Sequence, residues 1–180
     1  LVTILFGVLF VLSNLDYDKK LSLPQAFLLT ALSWLSIAIF GSLPFVFSEV
    51  ELSFTDAFFE SMSGITTTGS TIITNLNETP KAILLWRGML QWLGGIGIIV
   101  MAITLMPLMN IGGMQLFVIS TSNTPEKILP KSKEISIRLI IVYFSLTLVC
   151  ALFYKLFGMN FFDSIVHSMT TIATGGFSNY

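Results

Sequence analysis

Of 180 residues, 54% are hydrophobic and only 11% charged, and the formal net charge is −1. A soluble domain carries roughly 25% charged residues, so this composition, with a mean hydropathy of +0.85, excludes an ordinary soluble domain and points to a bilayer protein. No basic patch invites nucleic acid, and the single Cys150 can form no internal disulfide.

Residues 1–15 are apolar and read as the end of a membrane helix. They have no charged leading segment and no small-residue cleavage site, so a signal peptide fits poorly. The chain opens on Leu and stops just after its second repeat, which reads as a fragment of a longer protein. Residues 16–22, DYDKKLS, form a polar loop. No charge occurs from 21 to 48, and about 20 apolar residues suffice to cross roughly 30 Å of hydrocarbon. The span 23–47 enters through Pro24, which suits a first helical turn, and Pro44 should loosen its last turn. Thr55 is the expected N-cap of a short helix running to about Gly64, with Phe58, Phe59 and Met62 at helical spacing. Residues 65–71 are a Thr-rich loop, and 72–80 return to the surface.

A second charge-free run, from 88 to 125, carries the span 81–109. Gly94, Gly95 and Gly97 lie within it, and small residues let membrane helices approach closely. They follow no strand, so a dinucleotide-binding loop fails its context test. Residues 110–133 read as a cytoplasmic or interfacial connector. Residues 134–158 are the next span, 159–171 a second short helix and 172–178 its loop.

Two of these segments are copies. FTDAFFESMSGITTTGST at 54–71 and FFDSIVHSMTTIATGGFS at 161–178 coincide at seven of eighteen positions when Phe54 is laid on Phe161. Each follows a span and runs from a short amphipathic helix into a Thr/Gly loop, the order of a re-entrant pore loop. Polar backbone is tolerated at membrane depth only where protein buries it or where it lines an aqueous path. Rings of backbone carbonyls can replace the hydration shell of a cation. Gly69 and Gly176 supply the backbone freedom such a loop needs, and Thr hydroxyls can hold it from behind. The preceding helix turns its negative dipole end toward the ion. A single such loop reads best as a plain turn, whereas two matched copies favour a repeat-built pathway. If both loops open outward, Lys19, Lys20, Lys127, Lys131, Lys133 and Arg138 lie in the cytoplasm and only Lys81, Arg87 and Lys155 outside, in keeping with the positive-inside tendency. Glu49, Glu51, Asp56, Glu60, Glu78 and Asp163 then stand near the outer mouths, where they would concentrate cations.

FTDAFFESMSGITTTGST, LLWRGMLQWLGGIGIIV and SMTTIATGGFSN together resemble the Trk/Ktr/HKT superfamily of potassium transporters, most like its bacterial TrkH/TrkG membrane subunit, over nearly the whole chain. The resemblance implies an all-α integral membrane fold of repeated span–pore helix–filter loop–span units, akin to potassium channels. On that pattern 1–22 is the end of an extra N-terminal helix with its cytoplasmic loop, and 23–109 the first repeat. The connector is 110–133, and 134–180 is the first half of a second repeat. Thr66, Thr67, Thr68 and Gly69, with Ala173, Thr174, Gly175 and Gly176, would offer oxygens to K+. Plant relatives with Ser in place of the first glycine prefer sodium, so Gly69 leans to potassium. With one pivotal glycine per loop instead of TVGYG, selectivity should be looser than in ordinary potassium channels.

The same resemblance implies potassium transport, classed with symport, across the bacterial inner membrane. It further implies a homodimer and a TrkA-like cytoplasmic nucleotide-binding regulatory subunit, with lipid around it and no cofactor besides the transported K+. Two further repeats and the later gating helices are missing, so this segment alone should not complete a pore. The alternatives are a sodium-permeable relative and a non-conducting membrane scaffold. An enzyme is not expected, since there is one His, no HExxH and no GxSxG, and only His167 could serve as a base.

Individual polar residues read mostly as structural. Arg87 is expected to snorkel to the interface rather than to pair with Glu60 or Glu78 or to repel cations. His167 should be a buried, hydrogen-bonded side chain before it is a proton sensor. Asp56 and Asp163, at matched helix starts, suit capping and the helix dipole better than ion binding. Trp34, Trp86 and Trp92 should face lipid or pack.

Overall fold

The computed structural model describes residues 2–13, 22–105 and 128–180, and among them the fold is all α-helical. Its helices are α1 (Val2–Ser13), α2 (Leu23–Val46), α3 (Phe54–Ile65), α4 (Lys81–Leu105), α5 (Ile128–Leu156) and α6 (Phe161–Ile172), with one 3-10 turn at Leu76–Glu78. Three segments are long and apolar enough to cross a bilayer: Pro24–Val46, Lys81–Met101 and Glu134–Leu156.

Local chemistry sets the ends. In α2, Gln25 Oε1 accepts from Ser22 N at 2.9 Å, tying the first turn to the residue before it. Pro44 does not end α2, which continues to Val46 and closes with Phe47 N on Leu43 O. The short helices start close to where the sequence suggests, but on other caps. Ser53, not Thr55, caps α3, accepting from Asp56 N at 3.2 Å. Asn160, at the matched position, caps α6, accepting from Asp163 N at 2.9 Å. The membrane-length apolar segment starts at Glu134, where the span was expected, while the helix that carries it starts earlier, at Ile128. Residues 16–21 of the expected polar loop, the end of the span 81–109 and most of the 110–133 connector fall outside the described residues.

Helix α4 is the most enclosed of the three long helices and packs against α2, α3, α5 and α6. The tryptophans are clasps between helices. Trp86 Nε1 donates to Gly41 O of α2 at 2.9 Å, and Trp92 Nε1 to Thr147 Oγ1 of α5 at 3.0 Å. Trp34 Nε1 points at Met101 Sδ at 3.5 Å. Tyr143 returns the clasp, donating to Trp92 O at 2.9 Å. A small apolar core of Phe45, Ala57, Ile83 and Leu90 joins α2, α3 and α4. The outer faces of α2 and α5 expose Leu28, Leu32, Ile140, Leu148 and other apolar side chains, as lipid-facing helices do.

Candidate ion site

Both short helices end in the same way. At α3, Thr68 N donates to Ser63 O and Thr67 N to Gly64 O, each at 2.9 Å. At the matched positions of α6, Gly175 N donates to Thr170 O at 2.9 Å and Thr174 N to Thr171 O at 3.0 Å. This pair of bonds is a Schellman stop, which satisfies two of a helix's orphan carbonyls and demands a left-handed residue just past the cap. The residue is Thr67 in one copy and Thr174 in the other, both at φ 56. Glycine usually fills that place, and a β-branched residue there is a backbone outlier. Gly69 and Gly176 follow shortly after, at φ 81 and 77, which suits glycine.

The two loops meet. A Cβ on Gly69 would stand 2.0 Å from Gly175 O, so the first loop abuts the backbone of the second. A Cβ on Gly176 would meet nothing within 4 Å. Thr66 Oγ1 and Thr68 Oγ1 are 2.8 Å apart, and Thr66 Oγ1 also lies 2.7 Å from Met62 O. Of the predicted site residues, the structure brings Gly69 and Gly175 together across the two loops and pairs Thr66 with Thr68 within the first. No group of three His, Cys, Asp or Glu side chains fit to hold a metal occurs among the described residues.

Helix α4 is the wall behind both loops. A Cβ on Gly94 would stand 1.9 Å from Ile65 O, so only glycine admits the end of α3 there. Arg87, early in α4, is 1% exposed, so the expected snorkelling does not occur. Its Nε pairs with the fully buried Glu60 at 2.7 Å. Its Nη2 donates to Thr71 Oγ1 at 3.0 Å and its Nη1 to Ser178 O at 3.1 Å. Its guanidinium lies 4.2 Å over the Phe177 ring. Glu60 also accepts from Thr71 Oγ1 and from Ile72 N, both at 2.9 Å. A buried charge is tolerable when paired and fully hydrogen-bonded, and Arg87 is bonded to the far sides of both loops. Past this point the return segment 72–80 borders an open cleft of about 370 Å³ that carries Glu49 and Glu78.

The second loop has its own anchor. Asp163 accepts from Asn179 Nδ2 and from Tyr180 Oη, each at 2.6 Å, and from Asn160 Nδ2. Burial alone would push this carboxyl up, but the hydrogen bonds from Tyr180, Asn179 and Asn160 outweigh it, and the charge of His167 helps hold it below the usual carboxylate range. Asp56, its counterpart, stays at its helix start, bonded to Ser53 Oγ at 2.8 Å. His167 is half-buried, with Nδ1 3.0 Å from Asp163 O and Nε2 3.4 Å from Ser178 Oγ. It stands where Glu60 stands in the first copy, and its partner Ser178 stands where Thr71 does.

Gln91 adjoins the candidate site and was not singled out from the sequence. It lies one turn beyond Arg87 on α4 and is fully buried. Its Oε1 accepts from Phe177 N at 3.1 Å, while its Nε2 has no hydrogen-bond partner among the described residues. A buried donor left without an acceptor costs roughly 1–3 kcal/mol. The available signal was a polar side chain inside a membrane span, where burial is expensive enough to ask for a functional reason.

A family model described as TrkH, cation transport protein, matches residues 1–180. The chain is 48% identical over 155 residues to the Trk system potassium uptake protein TrkI of Halomonas elongata, covering 86% of this chain and 32% of that protein. To the Trk system potassium uptake protein TrkH of Escherichia coli strain K12 it is 42% identical, covering 99% of this chain and 38% of that one. The crystal structure of the potassium transporter TrkH from Vibrio parahaemolyticus superposes with a TM-score of 0.74 at 44% identity, over 92% of this chain and 32% of that chain. The chain thus spans about a third of the length of these relatives.

Proposed function

Because the chain belongs to the TrkH family of cation transport proteins, we propose that it is the front part of a potassium uptake pathway whose paired re-entrant loops form half of a cation filter. The family is one of membrane transporters, not an enzyme class, and its named relatives are potassium uptake proteins. The observation that carries the filter reading is the meeting of two like backbone motifs, Gly69 against Gly175 O, in front of a shared helix.

In this reading oxygens of Thr66, Thr67, Thr68 and Gly69 and of Ala173, Thr174, Gly175 and Gly176 replace water around K+. The Schellman bonds occupy the carbonyls of Ser63, Gly64, Thr170 and Thr171, which leaves the later ones for the ion. The loops open outward beside the Glu49 and Glu78 cleft. Repeat one is 23–109 and repeat two starts at 134, and further repeats from the rest of the protein close the ring. The reading extends to the bacterial inner membrane, a homodimer, a TrkA-like cytoplasmic nucleotide-binding subunit, and coupling by symport.

The test is uptake by the full-length protein in cells that lack other potassium uptake, at low external potassium. Growth and K+ influx are expected, and Gly69→Ser should move the K+/Na+ uptake ratio toward sodium. A wild-type protein that favours sodium would replace the reading with the sodium-permeable one. No flux, with Gly69→Asp and Gly176→Asp harmless, would replace it with a scaffold.

A further inference from the structure

We infer that Gln91 is a specificity-determining positioning residue: its carboxamide sets the spacing of the two loops by holding Phe177 N–H and by filling the space beside Gly175. The inference rests on the filter reading above and concerns a side chain that itself need not touch the ion.

Three observations carry it. First, the three nearest atoms to a Cβ built on Gly175 all belong to Gln91: Cδ at 2.4 Å, Oε1 at 2.5 Å and Nε2 at 2.6 Å. Gly175 does not have a positive φ, so its backbone does not itself call for glycine, and the buried Gln91 carboxamide is the group that a side chain there would have to displace. The matched position in the first loop is Thr68, which already carries a branched side chain. Second, Gln91 Oε1 takes the N–H of Phe177 at 3.1 Å, further along the same stretch of backbone. The amide therefore bears on the second loop on either side of Gly176. Third, Gln91 Nε2 would lie 3.8 Å from a Cβ on Gly69, and Gly69 itself abuts Gly175 O. The amide thus stands at the seam, one group behind two loops, and a shift in it moves Gly175 O relative to Gly69.

A core residue that merely packs would affect folding and leave ion preference alone. A spacer for carbonyls would change which ion the carbonyls fit, since coordination depends on how the oxygens are placed. The geometry also makes a specific demand: the harm done by a methyl group at residue 175 must depend on Gln91 being present. Contacting residues that share one space show strong non-additivity.

The experiment uses the full-length protein in cells, with K+ and Na+ influx, protein abundance in the membrane and melting in detergent all measured. Gly175→Ala is expected to lower the K+/Na+ uptake ratio by about tenfold, and Gln91→Ala to lower it by several-fold. The double variant Gln91→Ala with Gly175→Ala should recover most of the Gly175→Ala loss, a coupling of about tenfold. If the double variant is no better than the product of the two singles, or if Gln91→Ala keeps the wild-type ratio while abundance holds, the inference is overturned. If Gln91→Ala does not accumulate, Gln91→Asn, which keeps the amide and withdraws it by one methylene, takes its place with the same two outcomes. Gly69→Ser serves as the control on the underlying reading. If it shifts the ratio while the Gln91–Gly175 cycle is additive, only this inference fails; if it leaves the ratio unmoved, the filter reading fails first.

Discussion

Thr67 and Thr174 occupy matched positions in the two copies and hold the same left-handed backbone, φ 56 in each. A β-branched residue in that region is strained by roughly 1–2 kcal/mol relative to glycine, and the strain occurs once in each copy. Strain kept at equivalent places is held there by its surroundings, here the paired Schellman bonds and the wall of α4.

Removing the strain should therefore stabilise the protein and loosen the loop. Thr67→Gly is expected to raise the melting temperature in detergent, by the equivalent of about 1 kcal/mol, while lowering the K+/Na+ uptake ratio. A variant that melts later with its ratio intact would show that the threonine is incidental to the ion path.

The Arg87–Glu60 pair should be worth more as a pair than either partner alone. Arg87→Ala strands Glu60 without its counter-charge and is expected to destabilise by about 3–5 kcal/mol. The double variant Arg87→Leu with Glu60→Leu should be milder than either charge removal. Arg87→Lys keeps the charge but cannot reach Glu60, Thr71 and Ser178 together, because only a guanidinium presents a fork. It should fall between wild type and Arg87→Ala, as thermal melting of the purified full-length protein would read.

Gly94→Ala places a methyl group 1.9 Å from Ile65 O. That oxygen is backbone at the end of α3 and cannot step aside as a flexible side chain would. Loss of folded protein or of transport is expected, whereas Gly97→Ala, whose nearest contact is Trp34 at 3.9 Å, should be tolerated. Size-exclusion profiles and K+ uptake of the two variants decide it.

Asp163 predicts a pH dependence with a definite sign. Its folded-state pKa lies below the ordinary carboxylate value, so its stabilising contribution is complete above the unfolded pKa of about 3.9 and is lost as pH falls through the folded pKa. The melting difference between wild type and Asp163→Asn should stay constant from pH 7 to about pH 5 and shrink only below about pH 4. A difference that already vanishes well above pH 5 would show that the Asp163 carboxylate is not what holds the clamp.

Much of the fold was legible because periodicity and charge-free length act locally. The repeat announced itself through Phe54/Phe161, Asp56/Asp163 and Gly69/Gly176, and the short helices ended where the Thr/Gly runs begin. The N-cap of α3 was misplaced because Ser53 and Thr55 are both good capping types, and only comparison with Asn160 at the matched position separates them. Arg87 was misjudged and Gln91 passed over for a different reason. Their partners are remote in the chain: Glu60 before them, Phe177 and Ser178 far beyond. Nothing in the local pattern of an apolar span says which face of it will be met by a distant loop.

Arg87 and Gln91 belong to the earlier unit in the chain, yet they grip Ser178 and Phe177 of the later one. A second loop made without α4 would therefore lack both of these bonds. Part of the frame of the later loop thus lies in a helix far upstream of it.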